Sequence, residues 1–155
     1  MSLVENYAAV DLEEGLQLTP QFEKRGGLLP VAVQETDTGQ LLMLASINEE
    51  ALQQTMQTGL ATFWSTSRNQ LWVKGETSGD FLKIDNILVD CDQDAFVYQV
   101  TLQGEGVCHT YDKHGKHRKA CFYRKVDTEN NRTIPHRTVP HRTAFRKLQF
   151  IKNLY

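Results

Sequence analysis

The stretch Asp90-Cys91-Asp92-Gln93-Asp94 lies between two apolar runs and constrains the fold more than any other part of the chain. The flanking residues, 81–89 and 95–100, are rich in β-branched and aromatic side chains, so we predict two strands joined by this stretch. If extended backbone continues through it, the three carboxylates share one face and Cys91 points to the other. Carboxylates suit Mg²⁺ or Ca²⁺, whereas a thiolate suits Zn²⁺. The stretch therefore indicates two metals; the alternative is an acidic hairpin turn that happens to contain a cysteine.

Length and cysteine content limit the class of protein. A chain of 155 residues is long enough for one domain with a hydrophobic core. We expect a cytoplasmic protein without a membrane partner, because no apolar run can span a bilayer and the N-terminus lacks a signal-peptide pattern. The three cysteines cannot all pair with one another, and a reducing compartment favours free thiols or metal ligands.

Charge is distributed unevenly, although the formal net charge is only -2. Basic residues are concentrated from Lys113 onward, where Asp127 and Glu129 are the only acidic residues. This basic part could meet an anionic ligand such as phosphate, or an acidic surface of the same chain or of a partner subunit. The acidic body argues against nucleic acid as a partner. We divide the chain into a domain over 1–126 and a basic C-terminal tail over 127–155 that is too short to be a second domain.

Further patterns predict short strands and short helices. Apolar runs bounded by turn residues predict strands at 28–34, 41–45, 61–65 and 71–74. Asn48 as N-cap and Gly59 as stop predict a helix over 49–58, with Leu52 and Met56 facing the core. A second short helix is expected around residues 6–16. The tail contains a Pro-His-Arg-Thr repeat whose prolines favour extended chain.

Cys108 and Cys121 form a plausible metal pair that a hairpin-like loop could bring together. With Cys91, three thiolates could hold Zn²⁺ and leave the fourth position for water, as in catalytic zinc sites. The alternative is a set of isolated buried cysteines. His109 could be a fourth ligand or a general acid or base, since it adjoins Cys108. His114 and His117 are predicted to be solvated loop residues.

A polar segment between the predicted strands carries groups that suit phosphate. Hydroxyls, cations and glycines that leave backbone amides accessible could all contact an anion, with a solvated loop as the alternative for each residue. The candidates are Ser65, Ser67, Arg68, Lys74, Thr77 and Ser78.

Five strings, in this order, resemble the phosphoribosyl-AMP cyclohydrolase family over about residues 28–124. They are Phe63-Trp64-Ser65-Thr66-Ser67-Arg68, Leu71-Trp72-Val73-Lys74-Gly75-Glu76-Thr77-Ser78-Gly79, Asp90-Cys91-Asp92-Gln93-Asp94, Cys108-His109-Thr110 and Cys121-Phe122-Tyr123-Arg124. The resemblance implies the third step of histidine biosynthesis, in which the adenine ring of phosphoribosyl-AMP is opened. It extends the substrate-binding set to Trp64 and Glu76.

The resemblance also implies an intertwined homodimer with the active sites at the subunit interface. Each subunit would carry one Zn²⁺ on Cys108, Cys121 and the neighbouring chain's Cys91, and one Mg²⁺ on Asp90, Asp92 and Asp94. With the strand and helix patterns, we expect a mainly β fold of the α+β class. Its core would be a mixed or antiparallel sheet, or barrel-like, with one or two short helices.

The implied reaction suits these residues. Hydroxide activated by zinc attacks C6 of the adenine ring, the N1–C6 bond breaks, and no ammonia leaves; His109 is the candidate base. The alternatives are a zinc-dependent nucleoside or base deaminase, whose usual motifs are absent here, and a non-catalytic zinc module. One departure concerns residues 111–119, which lengthen the usual short link between the second and third cysteines.

Overall fold

The computed structural model describes residues 11–136. Its first six strands and its longest helix match the sequence prediction closely, whereas the last two strands were not predicted. The elements are β1 (Leu29–Glu35), β2 (Leu41–Ile47), α1 (Glu49–Thr58), β3 (Thr62–Ser65), β4 (Gln70–Val73), β5 (Leu82–Val89), β6 (Phe96–Leu102), β7 (Arg124–Asp127) and β8 (Arg132–Pro135), with a 3-10 turn at Glu23–Arg25. Residues 11–14 are helical, whereas the rest of the predicted first helix is non-helical at 15–16 and lies outside the described residues before 11.

A six-stranded mixed sheet in the order β4-β3-β2-β1-β6-β5 forms the body of the protein. β1 and β6 are parallel, and the other neighbouring strands are antiparallel. Inward side chains alternate along β1 and β6, the parallel pair inside the sheet, as expected for strands with one face on a core. The buried residues of this set are Leu29, Val31 and Val33 on β1 and Phe96, Tyr98 and Val100 on β6.

The sheet curls until its two edges approach each other. Leu60, just before β3, forms a bridge with Lys83 on β5. Ala61 N donates to Leu82 O at 3.0 Å, and Ile84 N donates to Gly59 O at 2.8 Å. The expected mainly β, barrel-like core is therefore confirmed. Along the described part of the chain, no helix combines the length and apolar character needed to cross a membrane.

Helix α1 begins and ends where the sequence predicts. The Asn48 side chain accepts a hydrogen bond from the helix N-terminus, and Gly59 ends the helix in a left-handed conformation with φ of 71°. Leu52 is buried as predicted, but Met56 is 53% exposed, so its assignment to the core is wrong. Thr55 occupies the inward position instead.

Thr55 faces inward because its hydroxyl satisfies groups that burial would otherwise leave unpaired. Thr55 Oγ1 donates to Ala51 O at 2.8 Å and accepts from Thr62 N at 3.0 Å. Both Thr55 and Thr62 are fully buried. A periodicity argument that counts apolar side chains misses such a position, since the buried residue is polar.

The hairpin of β7 and β8 begins within the predicted domain and continues into the predicted tail. Arg124 pairs with Pro135, and His136 N donates to Tyr123 O at 2.9 Å, which extends the pairing of the hairpin by one residue on each strand. Residues 137–155, which include the second copy of the repeat, lie outside the described residues. The division of the chain at residue 126 therefore stays a prediction.

Candidate metal and substrate site

The acidic stretch between β5 and β6 is a turn, not a continuation of the strands. Gln93 has a left-handed φ of 55°, so the extended backbone assumed for the alternation of faces does not exist here. That prediction is wrong. The three carboxylates nevertheless converge, because one oxygen from each of Asp90, Asp92 and Asp94 lies within 4.8 Å of the others.

Asp90 closes this turn through both its backbone and its side chain. Asp90 N donates to Ala95 O at 3.1 Å, and Asp90 O accepts from Gln93 N at 3.2 Å. Its carboxylate Oδ1 accepts from Asp94 N at 2.9 Å and from Ala95 N at 3.2 Å. The tight turn, rather than strand geometry, brings the acidic side chains together.

Two cationic side chains from the 3-10 turn lie on the carboxylates. Lys24 Nζ lies 2.9 Å from Asp92 Oδ2 and 2.9 Å from Asp94 Oδ2. Arg25 donates to the same Asp94 oxygen from Nε at 3.2 Å and from Nη2 at 3.0 Å. The hydrogen bond from Lys24, supported by Arg25, lowers the pKa of Asp94 to about 2. Asp94 is therefore held ionised, and both Asp92 and Asp94 are already paired with cations.

Gln93 ties the N-terminal segment to the same turn. Its Oε1 accepts a hydrogen bond from Thr19 N at 2.8 Å, and its Nε2 donates to Leu12 O and Gln17 O, each at 3.1 Å. Gln93 is buried by these contacts. The left-handed residue of the turn thus serves as the anchor for residues 12–19.

The donor set of the acidic turn fits a hard divalent cation. Three carboxylates supply the oxygen ligands that Mg²⁺ and Ca²⁺ prefer. Lys24 and Arg25 occupy some of the same oxygens, but their side chains are 52% and 51% exposed and can turn towards solvent. Asp90, Asp92 and Asp94 are thus able to receive such an ion in exchange for the two side-chain cations.

A pair of thiols lies beyond the opposite end of β6. Cys108 Sγ lies 3.0 Å from Thr110 Oγ1. Burial alone would raise the pKa of Cys108, but hydrogen bonds from Thr110 and from the Cys121 thiol lower it. Burial and the neighbouring Cys108 raise the pKa of Cys121 to about 11. The two thiols are neighbours in the structure, and adjacent thiols fit the sulfur ligands that zinc takes.

Contacts to the sheet fix the position of Cys121. Cys121 N donates to Leu42 O on β2 at 2.8 Å. Two residues earlier, Lys119 Nζ lies 2.8 Å from the carboxylate of Glu35, whose side chain is 2% exposed. Together these contacts hold the end of the loop on the edge of the barrel, with Cys121 against Cys108.

Lys74 brings a positive charge towards the thiol pair. It is only 8% exposed, and its ammonium lies 5.6 Å from the centre of the Trp72 ring. Burial lowers the pKa of Lys74, while the charges of Asp80, Cys121 and Cys108 oppose that shift. A buried cation with these neighbours is suited to holding an anionic group close to the sulfur atoms.

Cys91 lies far from this thiol pair within one chain. The Asp90–Ala95 hydrogen bond keeps its turn at the start of β6, whereas Cys108 and Cys121 lie beyond the end of that strand. The seven residues of β6 span about 20 Å at about 3.3 Å per residue. Within residues 11–136, the three thiols accordingly do not form one metal-sized cluster.

Histidine positions differ in part from prediction. His109 is exposed beside the buried Cys108. The prediction that His117 is solvated is wrong, because its side chain is only 10% exposed. His117 Nδ1 lies 3.5 Å from Asp80 Oδ2, and its ring packs against Tyr111 with centroids 4.9 Å apart.

Sequence reasoning also missed Asp80 and Arg118 as members of this region. Arg118 donates to Thr110 Oγ1 at 3.1 Å and to Tyr111 O, and its guanidinium lies 4.1 Å from the centre of the Tyr123 ring. These contacts connect the two sides of the hairpin-like loop with Tyr123, just beyond it. The spacing of the two glycines in 104–106 is the one sequence signal that could have indicated close packing here.

The predicted substrate-binding residues fall into two groups at opposite ends of the β3–β4 hairpin. The turn between the strands is organised by Ser65 Oγ, which lies 3.3 Å from Ser67 Oγ and accepts from Arg68 N at 3.3 Å. The loop after β4 carries the remaining predicted residues: Lys74, Glu76, Thr77 and Ser78. Trp64 lies on β3, half-buried, between the two groups.

Comparisons with known proteins give one consistent result. A family model described as phosphoribosyl-AMP cyclohydrolase matches residues 43–123. Among the curated relatives, a phosphoribosyl-AMP cyclohydrolase of Chelativorans sp. (strain BNC1) is 47% identical over 79% of this chain and 84% of its own length. One from Hyphomonas neptunium is 48% identical over 74% and 82%. One from Desulfatibacillum aliphaticivorans is 40% identical over 81% and 96%.

Proposed function

Because this chain belongs to the phosphoribosyl-AMP cyclohydrolase family, we propose that it hydrolyses the N1–C6 bond of the adenine ring of phosphoribosyl-AMP. Water oxygen adds to C6, the bond from C6 to N1 breaks, and C6 becomes a carboxamide while N1 takes a proton. The product is the phosphoribosyl-formimino-aminoimidazole carboxamide ribotide. The reaction is the third step of histidine biosynthesis, and we assign it to the cytoplasm.

One observation carries this proposal. The family match runs from residue 43 to residue 123 and contains every residue proposed for the metals, the substrate and the proton transfer. The clustered carboxylates of the acidic turn and the Cys108–Cys121 pair provide two chemically distinct donor sets inside that range. A chance match to the family would not require both sets to assemble.

The two donor sets correspond to one Zn²⁺ and one Mg²⁺ per subunit. Cys108 and Cys121 would hold zinc together with a third thiolate, while Asp90, Asp92 and Asp94 would hold magnesium. When bound, zinc would supply a Lewis acid that lowers the pKa of a water molecule to about 7. Thiolates reduce this effect by donating charge to the metal, so a nearby base is useful.

His109 is the residue to which we assign that proton transfer. It directly follows Cys108 and is exposed, so its imidazole can accept a proton from the attacking water and deliver it to N1, which stays in the product as part of the formamidine. Lys74, buried against the same thiols, orients the substrate by its charge. The lengthened loop supports this arrangement, because it leaves Cys108 and Cys121 adjacent.

The separation of the substrate-binding residues suits a substrate with a phosphate at each end. Ser65, Ser67 and Arg68 offer hydroxyls and a cation at the β3–β4 turn. Thr77 and Ser78 offer hydroxyls on the loop that follows β4. The two groups are separated by strands of four residues, or about 10 Å. Trp64 and Glu76 complete the proposed contacts with the base and ribose.

A homodimer accounts for the position of Cys91. Its thiol is exposed and lies at the end of β6 opposite to the other two cysteines, so it is free to face a second copy of the chain. A two-fold axis repeats every contact, so that each Cys91 would complete the partner's zinc site. This arrangement would make two equivalent active sites at the interface.

A complementation experiment tests the shared site. Cys91→Ala and Cys108→Ala chains, each inactive alone, are unfolded together and refolded as a mixture. In a mixed dimer one zinc site receives both lesions and the other receives neither. Random pairing makes about half of the dimers mixed, so about a quarter of wild-type activity should return. If one chain supplies all three ligands, every site keeps a lesion and no activity returns.

The activity itself is tested by incubating the protein with phosphoribosyl-AMP and following the absorbance change as the ring opens. Ammonia is measured in the same samples, because a deaminase would release it and a cyclohydrolase would not. We expect turnover without ammonia. Absence of turnover, combined with unfolding on removal of zinc by a chelator, would instead indicate a structural zinc module.

A further inference from the structure

The two ends of the loop after β4 are hydrogen-bonded to each other, and a histidine contacts the loop from outside. Gly79 N donates to Gly75 O at 2.7 Å, so the two ends of the loop meet. Gly75 has φ of 92°, and a Cβ added there would lie 2.3 Å from Phe81 N and 2.4 Å from the Asp80 carbonyl carbon. The loop therefore emerges from a narrow neck flanked by Lys74 on one side and Asp80 on the other.

Asp80 and His117 meet across the backbone of residues 104–106. A Cβ added to Gly104 would lie 2.0 Å from Asp80 Oδ1, and one added to Gly106 would lie 2.9 Å from His117 Nδ1. The two side chains thus pack directly against Gly104 and Gly106, where a larger residue would collide with them. Because both side chains are mostly buried, their 3.5 Å contact is shielded from solvent.

The same two residues connect two segments that the proposed reaction needs. Asp80 ends the loop that carries Glu76, Thr77 and Ser78. His117 belongs to the hairpin-like loop that separates Cys108 from Cys121, in which Asp112 N donates to Lys116 O at 2.8 Å. Movement of either segment relative to the other would displace the substrate residues from the thiol pair.

We propose that the Asp80–His117 contact fixes the loop over residues 75–79 relative to the Cys108–Cys121 pair, which makes Asp80 and His117 positioning residues for substrate binding. The inference rests on the proposed function for its kinetic part. His117 takes no chemical part in the reaction. It lies behind the loop and affects the substrate only by holding Asp80 and the neck of the loop in place. The contact would thereby fix the positions of the Thr77 and Ser78 hydroxyls, which we propose bind the substrate.

The test compares the wild type with His117→Ala, which removes the contact, and His117→Asn, whose amide nitrogen can take the place of Nδ1. His114→Ala is the matched control, because His114 lies on the same hairpin and is exposed. For His117→Ala we expect KM for phosphoribosyl-AMP to rise about tenfold, within the usual range for the loss of one buried contact. Its kcat and zinc content should stay close to wild type, and His117→Asn and His114→Ala should behave like wild type.

Amide hydrogen exchange over residues 75–80 gives a second readout that needs no activity. Exchange in this segment should become faster in His117→Ala and stay at the wild-type rate in the other two variants. Unchanged exchange and KM in His117→Ala would overturn the proposal, and so would a general loss of thermal stability that His117→Asn does not restore. If the wild type shows no turnover, the proposed function fails, while the exchange measurement still decides whether the contact holds the loop.

Discussion

Replacing Cys108 by alanine is expected to remove the bound zinc and abolish the ring-opening activity. Cys108 is the buried member of the thiol pair, and the hydrogen bonds that lower its pKa favour the thiolate that a metal requires. With one of the three proposed sulfur ligands gone, we expect the remaining two to lose the ion during dialysis. Zinc is measured per chain after dialysis; we expect about one in the wild type and almost none in the variant.

Asp92→Asn serves as the matched control, because it changes the other donor set. It should retain zinc and lose the dependence of activity on magnesium, since an amide is a weaker ligand than a carboxylate. The circular dichroism of both variants should match that of the wild type. Full retention of zinc by Cys108→Ala would refute the assignment of the zinc ligands.

Replacing His109 by alanine is expected to lower kcat by a factor of roughly 10²–10⁴, the usual contribution of one proton-transfer group. The side chain is exposed next to Cys108, so its removal leaves no buried cavity and should not change folding. Zinc content should stay at the wild-type value. His114→Ala, a change of the same type on the exposed hairpin, should leave kcat within about twofold of wild type.

The zinc measurement on His109→Ala separates two roles for this residue. A general base can be removed without loss of the metal, whereas a ligand cannot. Loss of zinc together with activity would therefore identify His109 as a ligand. Retention of both zinc and full activity would exclude it from the reaction and leave the base to be found elsewhere.

The fold could be predicted largely from local signals. Strands such as β1 and β6 are runs rich in apolar residues, and Asn48 and Gly59 define helix α1 from both ends. These signals act over a few residues, so a single sequence contains them in full. The thiol pair could also be predicted, because the hairpin-like loop between Cys108 and Cys121 is local.

The rest could not be predicted, because it depends on contacts between distant segments or on one unusual backbone angle. The left-handed conformation of Gln93 turns the acidic stretch away from strand geometry, and a period-two pattern cannot reveal it. His117 is buried by the approach of Asp80 and by two glycines that precede it by more than ten residues. Thr55 takes a core position that an apolar residue would usually fill, because its hydroxyl donates a hydrogen bond to Ala51 O.

Lys24 and Arg25 have a consequence for the order in which the protein assembles. Three carboxylates in one short turn repel each other, and a chain that depended on dissolved cations would have to capture one before the turn could close. Here the N-terminal segment carries its own counter-charges to Asp92 and Asp94. The turn can therefore form in metal-free surroundings, and the divalent ion that we propose for it would have only to exchange with two exposed side chains.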